Sequence, residues 1–272
     1  MGARGSVGRF VLSGLLERGV PVRVSARQPR PGQLAPGLDV VQADLTDRAS
    51  LGPAFEGMGQ LFLHANHEGV DGVIETARSA GVSRIVLMSS GSVIHPSSAG
   101  NAITEEHREV ENAFAGSGLE VVPIRPLVLA TNALAWAGPI KAARSVALYQ
   151  PDALTAPVHE RDVAAVAVAA LTGNDSATVS ELLTGPERIT QRHQVRAIAA
   201  AIGEDVTVAE LPRDQASARF ARFMPPAEAE AVLQFLDDAA AGSSPATDTV
   251  RRVLGRPATA FDVWAVEHAD EF

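Results

Sequence analysis

Short apolar runs alternate with helical stretches through the first half of the chain, and this rhythm restricts the fold more than any other feature. PVRVSAR (Pro21 to Arg27), LDVVQADL (Leu38 to Leu45), QLFLHAN (Gln60 to Asn66), SRIVLMSS (Ser83 to Ser90) and LEVVPIRP (Leu119 to Pro126) are rich in branched residues and read as strands. Between them, VDGVIETARSAG and TEEHREVENAFAGSG carry helical spacing and close on glycine, a frequent helix C-terminus. Strands separated by helices pair in parallel, because no tight turn can join parallel neighbours. The expectation is an α/β fold built on a doubly wound parallel sheet.

The rhythm changes after Arg125-Pro126. ERDVAAVAVAALTG and TQRHQVRAIAAAIG predict helices, SELLTG and VTVAELP short strands, and Arg213 to Phe272 a mostly helical segment broken by a flexible AAAGSSPATD. We expect a dinucleotide-binding domain over residues 1–150 and a smaller, mostly helical lobe over 151–272, interleaved with the sheet. Net charge of −9 provides no basic stripe for nucleic acid, and zero cysteines exclude disulfides and thiolate chemistry. No apolar run approaches the roughly 20 residues of a membrane span. These features predict a soluble, cytoplasmic protein.

At the start of the chain, GARGSVGRFVLSGLLERG sets Gly2, Gly5 and Gly8 at three-residue spacing, with Ser6 and Val7 between the last two. Phe10, Val11, Leu15 and Leu16 then give an apolar helical face. Glycine tolerates positive φ and lets main chain approach a pyrophosphate, while the following helix aims free N–H groups at the anion. A glycine turn alone is a weak signal; followed by alternating strands it predicts dinucleotide binding. An NAD site ends its second strand in Asp or Glu for the ribose 2′-hydroxyl, whereas an NADP site offers Arg. VRVSARQPR ends with Ser25, Arg27 and Arg30 and has no acid, so NADP(H) is expected over NAD(H). The alternative is that these arginines are ordinary surface residues.

The ordered set GARGSVG, VRVSARQP, VVQADLTD, VIETARSAGVSRIVLMSS, VENAFAGSGLEVVPIRP, LLTGPERIT and GRPATAFDVWAVEHADEF resembles the NmrA-like group of atypical short-chain dehydrogenases/reductases. The resemblance runs over nearly the whole chain. It implies an extended Rossmann fold, with cofactor contacts at Gly2, Gly5, Gly8 and Arg27 and around Asp44 and Leu45 beside the adenine. Ser6, Val7 and Ser89 complete the expected cofactor set. The family places a strand of about six residues and a Thr before the first glycine. Met1 stands where that Thr would be, so we expect the central strand to lie upstream.

The Tyr-x-x-x-Lys pair of typical short-chain dehydrogenases is missing: Tyr149 follows Lys141, and no other copy of either residue exists. In its place EEHREVENAF sets His107 and Glu111 at i, i+4, where Glu111 could raise the His107 pKa and make it a proton donor, or the two could form an ordinary surface pair. Ser89 and Ser90 close a strand where ligands meet open parallel sheets, or serve a turn. Ser90, Asn132 and Trp136 are the candidate substrate pocket; Arg125 and Trp136 could equally be structural. His64 and His67 are too extended in spacing to share a metal and are expected along the cofactor edge. No metal site is expected. His95 should face solvent, His159 should cap a helix, and His193 and His268 should lie on helix surfaces. Thr184 and Gly185 read as architecture.

Family members include NAD(P)H-dependent quinone or azo-compound reductases and redox sensors that bind cofactor without turnover. The expected function is NAD(P)H-dependent reduction of a small planar acceptor such as a quinone. A quinone needs less general-acid help than a ketone, which makes the lost Tyr-Lys pair tolerable. The alternative is a non-catalytic NADP(H) sensor acting through a protein partner.

Overall fold

The computed structural model describes residues 1–30, 37–173 and 176–272. After the glycine turn come α1 (Gly8–Leu16), β1 (Arg23–Ala26), β2 (Asp39–Gln42), α2 (Arg48–Phe55), β3 (Gln60–His64), α3 (Val70–Ser79), β4 (Arg84–Met88), α4 (Ala102–Ala115) and β5 (Glu120–Pro126). The later elements are α5 (Ala137–Ala143), β6 (Ser145–Leu148), β7 (Leu154–Thr155), α6 (Glu160–Thr172), α7 (Ser176–Val179), β8 (Leu182–Leu183), β9 (Ile189–Thr190), α8 (Gln191–Ile202) and β10 (Thr207–Glu210). Four helices finish the chain: α9 (Arg213–Phe220), α10 (Pro226–Ala240), α11 (Thr249–Leu254) and α12 (Phe261–Glu267). The fold is α/β, and its strands follow the expected runs.

Two compact units divide the chain. Unit 1 holds Met1–Ser90, Glu106–Arg125 and Val163–Glu181; unit 2 holds Gly91–Glu105, Pro126–Asp162 and Leu182–Phe272. The chain therefore crosses between units after Ser90, Glu105, Arg125, Asp162 and Glu181, not at a single point near residue 150.

In unit 1, β3, β4 and β5 pair in parallel, with Phe62 opposite Val86 and Val86 opposite Val122. The crossovers run through α3 and α4, as parallel pairing demands. The middle of each strand is apolar and buried, Leu61 to Leu63 in β3 and Ile85 to Met88 in β4, while β5 alternates. Leu63, Ile85 and Leu87 pack with Leu51 and Phe55 of α2, Ile74 of α3 and Phe114 of α4. Fully burying such side chains stabilises by about 1.5–3 kcal/mol each. β1 and β2 form a separate parallel pair, Val24 opposite Val40.

In unit 2, β10 pairs with β6 in parallel, and β7 with β9 antiparallel. Ile140, Ile198, Phe261 and Trp264 form the main core, and Trp136 packs against it and against a second cluster around Val146, Leu148 and Val195. The segment 239–248 does interrupt the helices, but it is pinned, contrary to the expected flexible break. Thr247 donates its backbone N–H to Thr184 Oγ1 and its hydroxyl to Leu182 O, each at 2.8 Å, and Ser244 is buried. No helix among the described residues is long and apolar enough to cross a membrane.

Candidate cofactor and active site

The glycine turn is shaped by space that only glycine leaves. Gly2 has φ +77°, and a Cβ there would stand 2.6 Å from His64 Nε2. A Cβ on Gly8 would stand 2.0 Å from Gly2 O, and Gly5 N–H closes the turn on that same oxygen at 2.9 Å. Gly8 is therefore fixed by backbone contact, and Gly2 by its positive φ together with the His64 ring. Helix α1 begins at Gly8 after Val7, and the first-turn N–H groups of Arg9, Phe10 and Val11 close on Gly5 O and Val7 O at 3.0 to 3.1 Å. No residue of its first turn is acidic, so nothing there competes with an anion.

A cavity of about 550 Å³ lies against this turn, entirely within unit 1. Met1, Gly2, Ala3, Arg4 and Gly5 line one side; residues 24–27 at the end of β1 and 43–46 after β2 line another. Thus Gly2, Gly5, Arg27, Asp44 and Leu45 come together around one cavity, which Ser6, Val7 and Gly8 do not line. Ser6 is exposed on the turn, while Val7 and Gly8 are buried where α1 starts. Arg27 is exposed, and its charge acts on Asp44 across the cavity. Asp44 is held below the ordinary carboxylate value chiefly by the Thr46 backbone N–H, then by the Thr46 hydroxyl. Its Oδ1 accepts both, at 3.0 and 2.9 Å.

His64 lines the cavity from the end of β3, as expected, and burial pushes its pKa down, with the neighbouring Met1 ammonium adding to the shift. Asn66 and Arg4, which sequence reasoning did not select, line the cavity too. Asn66 had a usable signal: it follows the carboxyl end of a parallel strand, where such sheets bind ligands. His67 instead pairs with Glu106 through Nδ1 at 2.7 Å.

The proposed proton donor fares differently. Burial pushes His107 below the ordinary histidine value, and the Glu106 and Glu111 charges only partly offset this. The expected rise caused by Glu111 is outweighed by burial, and Glu111 itself is engaged elsewhere. Arg125 binds it through Nε at 2.9 Å and through Nη2, and Ser89 Oγ donates to its Oε1 at 2.6 Å. Arg125 is accordingly a structural ion-pair partner, and also donates to Ser180 O at 2.9 Å. Ser89 is buried in this network and does not reach the cavity. Ser90 closes unit 1 half-buried.

In unit 2, Asn132 is exposed and Trp136 is half-buried against core. Tyr149 donates to Asp237, and burial, then that hydrogen bond, raises its pKa. His95 is buried, its Nε2 at 3.2 Å from Ser243 O, not solvent-facing as expected. His268 is buried too, stacked on Trp264 with ring centroids 4.4 Å apart, not on a helix surface. His159 does cap α6, its Nδ1 accepting the Arg161 N–H at 3.1 Å. His193 is exposed and pairs with Asp262.

Main-chain donors, an arginine and an Asp-anchored loop around one cavity suit a dinucleotide, and comparison with known proteins agrees. Residues 2–174 match the family described as NAD(P)H-binding. The chain belongs to that family. It is 38% identical, over 100% of its length and 97% of the relative, to "(4-alkanoyl-5-oxo-2,5-dihydrofuran-3-yl)methyl phosphate reductase" of Streptomyces griseus subsp. griseus. It is 27% identical to the NAD(P)H azoreductase of Xenophilus azovorans, over 100% and 98% of the two chains. Its fold matches that of an NADPH-dependent quinone oxidoreductase from Escherichia coli, solved with NADPH, at a TM-score of 0.78 and 24% identity over 98% and 97%. The chain is an NAD(P)H-dependent oxidoreductase.

Proposed function

We propose that this oxidoreductase uses NADPH in preference to NADH and reduces a small, planar, conjugated carbonyl compound: a quinone or an unsaturated lactone. The observation that carries the cofactor preference is the end of β1. Arg27 lines the cavity there, and the strand brings no carboxylate that would accept a ribose 2′-hydroxyl. A guanidinium grips a 2′-phosphate through two parallel hydrogen bonds, while a carboxylate would repel it. The turn at Gly2, Gly5 and Gly8 would let the pyrophosphate approach its main chain closely, and Asp44 and Leu45 would flank the adenine.

When bound, the reduced nicotinamide supplies a hydride. The chain contributes little acid chemistry of its own, since Tyr149 is committed to Asp237 and burial lowers His107. That favours acceptors whose reduced form spreads negative charge over conjugated oxygens and takes its proton from water. The named relatives support the same class, one acting on an oxo-dihydrofuran phosphate and one fold neighbour being a quinone oxidoreductase.

Titrating the chain with NADPH and NADH by nicotinamide fluorescence tests the preference; equal affinities reject it. Loss of reduced-nicotinamide absorbance with a panel of quinones and acylated butenolides tests the activity. Tight NADPH binding with no oxidation across the panel rejects the proposed acceptors.

A further inference from the structure

His64 ends β3 beside the glycine turn, and among the described residues its ring has no hydrogen-bond partner. It meets the Phe62 ring edge-on, with centroids 5.6 Å apart. It also presses on the turn: a Cβ on Gly2 would stand 2.6 Å from Nε2 and 2.8 Å from Cδ2. The same side chain lines the cavity of about 550 Å³. A half-buried ring nitrogen therefore stands at the first glycine with its hydrogen-bonding capacity unspent, where a ligand can use it.

We propose that His64 is a proton-coupled arm of the cofactor site, its imidazole taking one proton from solvent as the dinucleotide enters and holding a phosphate oxygen through Nε2–H. The inference rests on the cofactor reading above and adds to it a link between binding and pH. The surrounding charges explain why the proton arrives with the ligand. Burial holds His64 below the ordinary histidine value, and the Met1 ammonium adds to this. Arg4 and Arg27 on the cavity wall also oppose a further positive charge, whereas Asp44 and Glu68 favour one. Asp44 is already engaged by Thr46 and by the charge of Arg27, and His67 is paired with Glu106. A pyrophosphate brings a negative charge on each phosphorus and reverses that balance, so the imidazolium becomes the favoured form. Both redox forms of the cofactor carry the same pyrophosphate, so each should take up the proton equally.

Calorimetric titration with NADP+ in buffers of different ionisation enthalpy counts the protons taken up, and His64→Gln keeps an N–H donor that cannot titrate. The 2′-phosphate itself titrates near pH ~6, so the difference between wild type and variant is the quantity read. Between the free and bound pKa values the complex holds one proton more than the free chain, so His64 should make affinity fall as pH rises, by up to about tenfold per unit. The variant should bind about 10-fold more weakly than wild type at pH ~6 and within about twofold of it at pH ~8. Glu68→Gln should leave the wild-type proton count unchanged. Equal proton counts for wild type and His64→Gln overturn the inference while leaving the cofactor reading intact; so does a loss of affinity that is the same at every pH, which would make His64 a packing residue. Failure of both proteins to bind NADP+ at any pH overturns the cofactor reading and this inference together. If the variant does not fold, the His64 Cε1 proton resonance of wild type decides: its titration midpoint should rise by about one unit or more with NADP+, and an unmoved midpoint rejects the coupling.

Discussion

The two units treat their charged groups in opposite ways. Around the glycine turn of unit 1, main-chain donors, Arg27 and Asp44 surround an open cavity. In unit 2 the most buried charges close on one another. Glu160 is fully buried, its Oε2 accepting the Trp264 indole N–H at 2.9 Å and its Oε1 lying 2.9 Å from His268 Nε2. His159 adds a contact at 3.2 Å, and its other nitrogen meets Glu267 at 3.1 Å. Asp162 binds Arg256 at 2.7 Å. Clusters of histidine and acid invite catalytic readings, but here each acceptor already has its donor. The group able to act on a ligand is the one whose partners stop short, and on that ground we propose the simpler glycine turn as the cofactor site.

Replacing Glu160 should give the largest effect and test the structural half of that contrast. Burial alone would push this carboxyl up, but the contact with His159, a hydrogen bond from its own backbone, and the two histidine charges hold it down to about 2. Its folded pKa lies below the ordinary 4.5, so its stabilisation is complete above that value and disappears as pH falls toward 2. Glu160→Gln should cost about 3–5 kcal/mol, because it leaves the partners of a buried charge uncompensated. It should also flatten the acid limb of the stability profile and leave NADPH affinity within about twofold. A large loss of affinity with little change in Tm would move this cluster from architecture to function.

Gly8→Ala should act in the opposite manner. Its Cβ would meet Gly2 O at 2.0 Å and Gly2 C at 2.7 Å, neither of which can rotate away. Opening the turn should weaken NADPH by about 100-fold, within the roughly 1–3 kcal/mol range of forced overpacking. Gly52→Ala, on α2 with nothing within 4 Å of the new atom, is the control and should leave Kd unchanged. Equal Kd for both variants would mean the turn does not hold the cofactor.

What could be read from the sequence divides along similar lines. The glycine turn was legible because φ and the room for a Cβ are local properties. The strands of unit 1 were legible because strands covered on both faces stay apolar for several residues. Helix α2 (RASLGPAF) was hidden by its own Gly52 and Pro53, and β6, β7 and β9 run only two to four residues, too short to show a period. The misread side chains share one cause. Glu111 sits four residues from His107, yet its partners Arg125 and Ser89 come from the ends of neighbouring strands. His268 looks solvated on a helical wheel, but Glu160 and His159 at the start of α6 pack against it. Helical spacing reports neighbours on one element and nothing about what packs across.

Arg27→Ala should produce a smaller and more selective change. A hydrogen bond to a charged group contributes about 1.5–3 kcal/mol, so NADPH affinity should fall about 10- to 100-fold. NADH affinity should stay within about twofold, since that cofactor has no 2′-phosphate to lose. Arg27 is exposed, so Tm should hardly move. Equal losses for both cofactors would place the guanidinium on the pyrophosphate instead.

Ser89→Ala should have the smallest effect and probes where the two units resemble each other. At the end of β4, Ser89 stands where a parallel sheet offers groups to a ligand, but its hydroxyl is spent on Glu111. Removing it leaves Glu111 still held by both arms of Arg125, so about 1 kcal/mol should go, a Tm fall of about 2–4 °C. NADPH Kd and kcat should stay within about twofold. A tenfold drop in kcat at unchanged Kd would show that the hydroxyl leaves Glu111 when substrate arrives. The completed hydrogen-bond set at the end of β4 would then be a resting arrangement, and partner counting would fail as a guide to function in the unit where it most needs to hold.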